Sequence, residues 1–139
     1  MLKYLIAVDG TAHAHRAIEA VARLAKHLNG LTVVLLNVRE DLQHYGELLP
    51  ADYAEVAGRR QRQVLDEAAA IARGHGLEHV LTESVAGEPA EQIIRAAKAH
   101  GVDQIAMGTH GRGAVGGLFI GSIAQRVIHL ADIPVLLVK

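Results

Sequence analysis

The chain has 139 residues, half of them apolar, a formal net charge of −1, no cysteine, no tryptophan and a single phenylalanine. That length supports a sizeable core without disulfide or metal staples. The near-neutral charge excludes the broad basic footprint of a nucleic-acid binder. The lack of cysteine excludes disulfides, thiolate zinc sites, iron–sulfur clusters and cysteine nucleophiles. No uncharged apolar stretch reaches membrane-spanning length, and the apolar start is cut short by Asp9 with no small-residue cleavage site after it. The expectation is one domain over residues 1–139, cytoplasmic, without nucleic-acid or membrane partners.

Tyr4 to Val8 is a short continuous apolar run, the pattern of a strand buried on both faces. It stops at Asp9-Gly10-Thr11. Thr11 is placed to cap a helix whose apolar positions Ala14, Ala17, Ile18, Val21, Leu24, Ala25 and Leu28 keep a 3.6-residue period. Asn29-Gly30 ends it. Leu31 to Val38, aliphatic and β-branched, is the second strand, and the polar stretch from Arg39 to Pro50 is a surface loop. A long helix over residues 51–73 turns Val56, Val64, Leu65, Ala68, Ile71 and Ala72 inward. Its Arg59, Arg60 and Arg62 splay around the axis as a solvated face does, rather than converging on an anion.

Glu78 to Val85 is a third strand, interrupted by Thr82, Glu83 and Ser84. A polar strand in a parallel sheet belongs at an edge. Gly87-Glu88-Pro89 starts a helix with proline in its first turn and an apolar stripe at Ile93, Ile94 and Ala97, ending at His100-Gly101. Asp103 to Met107 is the fourth strand, Ser122 to Ala131 the fourth helix, and Val135 to Val138 a final strand. Strict alternation implies an α/β fold: a doubly wound, five-stranded parallel sheet with helices on both faces, most simply in the order 3-2-1-4-5. Strands 1 and 4 are then neighbours whose connections leave in opposite senses, and the crevice at their carboxyl ends is the expected ligand site. Asp9 and Gly108 both border it.

Residues 108–122 read G-T-H-G-R-G-A-V-G-G-L-F-I-G-S and hold six of the fourteen glycines. Strand, glycine loop and helix together aim backbone N–H groups and a positive helix end at an anion, usually a phosphate. Glycine lets the backbone come close, and Ser122 is placed to cap the helix and bond a phosphate oxygen. Two glycine patterns here lack their proper context. Gly111-x-Gly113-x-x-Gly116 follows the fourth strand rather than the first, and no acidic residue stands about twenty positions on, so it is not a dinucleotide fingerprint. Gly116-x-x-x-x-Gly121 is followed by Ser122 and Ile123, without the lysine of a Walker loop.

The third pattern is Gly108-x-x-Gly111, nine residues, then Gly121-Ser122. This G-2x-G-9x-G-S/T spacing resembles the ATP-binding signature of the universal stress protein family. The likeness runs along the whole chain. Ile6 to Thr11 resembles the family's first strand and turn, and Leu35 to Val38 its second strand. Val102 to Gly113 and Ala131 to Val138 resemble its most recognisable segments. The resemblance implies an adenine nucleotide alpha hydrolase-like (Rossmann-like) three-layer sandwich that binds ATP or AMP, with Mg2+ held through the phosphates. It further implies a stress-response or signalling role as a nucleotide-loaded homodimer paired through Val135 to Val138. Carried over residue by residue, Asp9 takes the ribose or adenine edge, and Ala7 and the backbone around Val38 line the adenine pocket. Met107 and Gly108 lie under the ribose and first phosphate. Gly111, Gly121 and Ser122, with the N–H groups of Ser122 and Ile123, hold phosphates. Arg112 either neutralises phosphate charge or solvates the loop.

The chain departs from the family after Asp9-Gly10, where serine and glutamate are frequent and Thr11, Ala12, His13 and Ala14 stand instead. Hydroxyl and carboxylate groups are thereby lost from the mouth of the crevice. Among the nine histidines, His13 and His15 are the only close pair, and two residues apart on a helix they diverge, which does not suit a metal site. His110, inside the loop, is read as packing or forming a loop hydrogen bond rather than reaching a phosphate. No second carboxylate is placed at the phosphate end to activate water, so binding with at most slow ATP hydrolysis is expected. A nucleotide-independent dimer of the same family is the alternative. A receiver domain would need an aspartate ending strand 3, where Ser84-Val85-Ala86 stands.

Overall fold

The computed structural model describes residues 1–40, 49–110 and 120–139. Along the chain these form β1 (Leu2–Ala7), α1 (Ala12–Ala25), β2 (Leu31–Arg39), α2 (Tyr53–Gly74), β3 (His79–Ala86), α3 (Pro89–His100), β4 (Gln104–Gly108), α4 (Ser122–Leu130) and β5 (Val135–Val138). The strands make one parallel sheet in the order β3-β2-β1-β4-β5, as the alternation predicted.

Continuous apolar runs in β1, β2 and β4 follow from this topology, because helices cover both faces. Successive side chains alternate between them. Ile6, Val33 and Leu35 meet Ile18 and Val21 of α1 and Leu65, Ala68 and Ala72 of α2 on one face. Leu5, Val34, Leu36 and Ile105 meet Ile93 and Ala97 of α3 and Ala124 and Val127 of α4 on the other. A fully buried leucine or isoleucine stabilises the fold by about 1.5–3 kcal/mol. The two layers on β1 and β2 are therefore the main reason the sheet holds.

The helix ends differ from expectation in two places. Helix α1 stops at Ala25, not at Asn29, and Leu24 and Leu28 are 41% and 40% exposed. Tight turns take over there, with the His27 and Leu28 N–H groups donating to the Leu24 and Ala25 carbonyls, so the apolar stripe leaves the sheet before its period ends. In α2 no residue before Gln61 is buried, and Val56 is 46% exposed. Arg59, Arg60 and Arg62 are exposed, as a solvated face requires, and Arg59 pairs with Glu55 one turn back at 2.9 Å. Strand β3 is an edge, as its polar residues implied.

Candidate functional site

Beyond the pair Ile6–Ala106, β1 and β4 no longer bond to each other. The Val8 N–H donates to the Leu36 carbonyl of β2 at 2.8 Å, while the Thr109 N–H donates to the Val138 carbonyl of β5 at 2.9 Å. Each strand leans on its outer neighbour, and a cavity opens between them. Ala7, Val8 and Asp9 line it from β1, Leu36 and Val38 from β2, and Met107, Gly108, Thr109 and His110 from β4. Helices add Ala14 from α1, Pro89 and Ile93 from α3, and Ser122, Ile123 and Ala124 behind Gly121 from α4.

The Asp9 corner is built by local hydrogen bonding. Its Oδ1 accepts from the Thr11 N–H at 3.0 Å and the Thr11 hydroxyl at 2.6 Å, an Asx turn of the kind aspartate favours. Gly10 supplies the required positive φ of 84°. The Thr11 hydroxyl then accepts from the Ala14 N–H at 3.3 Å and caps α1. Asp9 is thus both a turn former and a wall of the cavity.

Behind this corner lies a buried polar network. The Asn37 side-chain amide donates to the Val8 carbonyl at 2.7 Å. Gln61 of α2 donates to the carbonyls of Asn37 at 3.3 Å and Val85 at 3.0 Å. Both side chains are buried, at 8% and 7% exposure, where an unpaired amide would be costly. They tie the carboxyl ends of β1, β2 and β3 together. Sequence reasoning missed both, although Gln61 sits one turn before Leu65 on the inward stripe of α2, and a polar residue at such a position is a readable signal.

On the other wall Gly108 is required by space rather than by backbone angle. A Cβ there would lie 2.6 Å from His13 Cβ and 2.9 Å from the His13 carbonyl carbon. The first turn of α1 therefore packs directly on β4. Thr109, 8% exposed, joins the flanks of the glycine stretch, its carbonyl accepting from the Gly121 N–H at 2.7 Å. Gly121 holds the cap position of α4, with φ −63° and ψ 159° and no side-chain cap. Ser122 is accordingly the first helical residue and not the cap, correcting the expectation for its hydroxyl. The pinned Gly121 occupies the position a capping serine would need. The N–H groups of Ser122 and Ile123 have no helical carbonyl to bond and form the positive end of α4 beside the cavity.

Charge along the helices is arranged accordingly. The first turns of α2 and α3 carry Glu55 and Glu91, while those of α1 and α4 carry no acidic residue. Helix α4 brings its positive end to the crevice with no acidic residue in its first turn, whereas the start of α1 is met by the Asp9 carboxylate through the Thr11 N–H at 3.0 Å. Asp9 is the one carboxylate lining it among the described residues.

Eight of the sequence-predicted residues (Ala7, Asp9, Val38, Met107, Gly108, Gly121, Ser122 and Ile123) thus line a single cavity. Gly111 and Arg112 lie outside the described residues. His110 forms the loop hydrogen bond expected of it, Nδ1 to the Thr109 hydroxyl at 3.0 Å, and it also lines the cavity. Pro89, Ile93 and Thr109 were not anticipated there; they arrive through the packing of α3 and α4, which no local pattern encodes.

A doubly wound parallel sheet with a cavity at its switch point, walled by glycine and a helix N-terminus, defines an α/β fold with its cavity where open sheets of this kind hold ligands. The model of the universal stress protein family matches residues 1–139, and the chain belongs to that family. It is 39% identical over 136 residues to a universal stress protein of Thermus aquaticus, covering 97% of this chain and 96% of that one. Its fold superposes on the solved structure of protein MJ0577 with a TM-score of 0.87, at 28% identity, covering 99% of this chain and 94% of the other; MJ0577 is a universal stress protein of Methanocaldococcus jannaschii. A universal stress protein from Archaeoglobus fulgidus, solved in complex with dAMP, shares the fold at a TM-score of 0.73 and 22% identity, covering 100% of this chain and 98% of the other.

Proposed function

We propose that this chain, acting over residues 1–139 as one cytoplasmic universal stress protein domain, binds ATP or AMP in the switch-point cavity and signals in its nucleotide-loaded form. The observation that carries this is that Asp9, the N-terminus of α4 and a set of apolar residues line one cavity. The apolar part, Ala7, Leu36, Val38, Met107 and Ile93, suits a purine ring. The carboxylate of Asp9 suits the ribose or adenine edge. The N-terminus of α4, with no acidic residue in its first turn, suits phosphates, with Gly111, Arg112, Gly121 and Ser122 assigned to the same end and Mg2+ held through the phosphates. The dAMP-bound relative from Archaeoglobus fulgidus supports an adenine nucleotide as the ligand class.

The groups at the phosphate end are donors and a positive helix end, which hold charge but do not activate water. Binding with slow turnover at most is the reading they favour. Equilibrium titration with ATP and AMP tests it: saturable binding below millimolar nucleotide is expected, and none at millimolar concentration sinks the proposal.

The second part of the proposal is a homodimer through the edge strand β5. Val135 to Val138 are only half-buried in the single chain, and Ile123, Ile128 and Leu130 of α4 are 38%, 45% and 38% exposed. An uncharged apolar edge invites pairing with a second copy. Light scattering at micromolar concentration is expected to give twice the chain mass, and a monomer refutes this part alone.

A further inference from the structure

His13, in the first turn of α1, does not stand alone. Its ring lies 5.3 Å, centroid to centroid, from that of His110, tilted by 47°. The close approach of α1 to Gly108 brings the two together. His13 belongs to the first turn of α1 and His110 lines the cavity together with the first residues of α4, and neither helix has an acidic residue in its first turn.

The hydrogen bonds constrain their protons. Arg16 donates through Nη2 to His13 Nδ1 at 3.0 Å, and because arginine has no acceptor, Nδ1 is bare and the His13 proton is on Nε2. Arg16 is itself anchored, its Nε donating to the Lys139 carbonyl at 2.6 Å. His110 Nδ1 faces the Thr109 hydroxyl, which can donate or accept. His110 Nε2 is buried and has no partner among the described residues. An orphaned buried polar atom on a residue that lines the cavity calls for an explanation, and a ligand is one of the few available. A phosphoryl oxygen can only accept. It selects the tautomer in which Thr109 donates to Nδ1 and Nε2 carries the proton.

We propose that His110, oriented by Thr109 and backed by His13 and Arg16, is a specificity-determining residue that donates to the distal phosphates and makes this site prefer adenosine triphosphate to the monophosphate. This rests on the adenine-nucleotide reading of the cavity. Thr109 fixes His110 to the α4 cap through Gly121, so the imidazole and the helix amides form one rigid anion-holding wall. His13 is a positioning residue: its ring limits how far that of His110 can turn.

The test is calorimetric titration of adenosine, AMP and ATP into the full chain and its His110→Phe, His110→Asn and His13→Ala variants, with folding checked by circular dichroism. The native chain is expected to prefer ATP to AMP by at least tenfold, the effect of about one hydrogen bond to a charged group. His110→Phe keeps the ring and removes the donor. It should lower the ATP-to-AMP ratio about tenfold while leaving adenosine affinity within twofold. His110→Asn, which retains a donor, should restore part of the ratio, and His13→Ala should lower it less than His110→Phe does. An unchanged ratio in His110→Phe, or in His110→Asn if the phenylalanine variant does not fold, overturns the assignment. Equal affinity of the native chain for AMP and ATP also overturns it while sparing the nucleotide reading. Failure of the native chain to bind adenosine, AMP and ATP alike removes both.

Discussion

The two ends of the β1–β4 pair are built in opposite ways. At the amino end the strands are stitched shut. The Lys3 N–H donates to Asp103 Oδ2 at 2.8 Å and the Asp103 N–H to the Lys3 carbonyl at 2.7 Å. The Tyr4 hydroxyl reaches Gln104 Oε1 at 2.6 Å, and Lys3 Nζ reaches the His100 carbonyl at 3.0 Å. At the carboxyl end Val8 bonds outward to β2 and Thr109 outward to β5. The same two strands thus hold the fold at one end and leave a cavity at the other. The site is where it is because reversing strand order removes the hydrogen bonds there, not because the residues at that end are intrinsically weaker. Changes at the open end should therefore reach ligand binding, and changes at the closed end stability alone.

The largest effect is expected from Gly108→Ala. The added Cβ would stand 2.6 Å from His13 Cβ, too close for either backbone to ignore, so α1 must move off β4. Overpacking of this kind costs about 1–3 kcal/mol. Thermal unfolding should report it as a loss of roughly 5 °C or more in Tm, and nucleotide affinity should fall at least tenfold. A variant of native Tm and affinity would mean that the open end is more compliant than its contacts imply.

Gln61→Leu should have an intermediate effect. It keeps the bulk of the side chain but strips donors from the Asn37 and Val85 carbonyls. One buried group left unpaired costs about 1–3 kcal/mol, readable as a lower midpoint in urea with an unchanged slope. Because Asn37 in turn holds the Val8 carbonyl, nucleotide affinity should fall severalfold at a temperature where the variant is fully folded. Lost stability with native affinity would assign the network to the fold and not to the site.

The strand order and half of the cavity wall were legible in the sequence, the order from patterns that survive in one dimension and the wall from the family resemblance. Alternating apolar runs and helical stripes fix the order, and the spacing Gly108-x-x-Gly111…Gly121-Ser122 marks the loop. The Asn37–Gln61 link was not legible. It joins residues on separate elements, 24 positions apart, and only the packing of α2 across β2 and β3 makes partners of them. The pairing of His13 with His110 was hidden for the same reason: the glycine that permits it, Gly108, looked like a phosphate-loop residue and is also the floor beneath α1. Ser122 was misjudged as the cap because its type suits that position. The hydrogen bond from Gly121 to Thr109 decides the register instead.

The smallest effect belongs to the closed end and depends on pH. Tyr4 is 4% exposed, and its phenol is pushed above its ordinary pKa of 10.0, first by burial and then by the nearby Asp103 carboxylate. The fold thus favours the neutral phenol more strongly than the unfolded chain does. Below about pH 10 both states hold the proton and the contribution is fully present. As pH rises through that value the unfolded chain releases its proton while the folded one keeps it, so the slope of unfolding free energy against pH is negative and stability falls. Tyr4→Phe removes this titration along with the hydrogen bond to Gln104. At pH 8 the variant should be slightly less stable than the native chain, and the gap should close between pH 9.5 and 11 in urea denaturation. Nucleotide affinity at pH 8 should not change, because Tyr4 lies at the opposite end of β1 from the cavity. A gap that stays constant to pH 11 would show that Tyr4 ionises equally easily in both states. A change in affinity would show that the two ends of the strand pair are coupled.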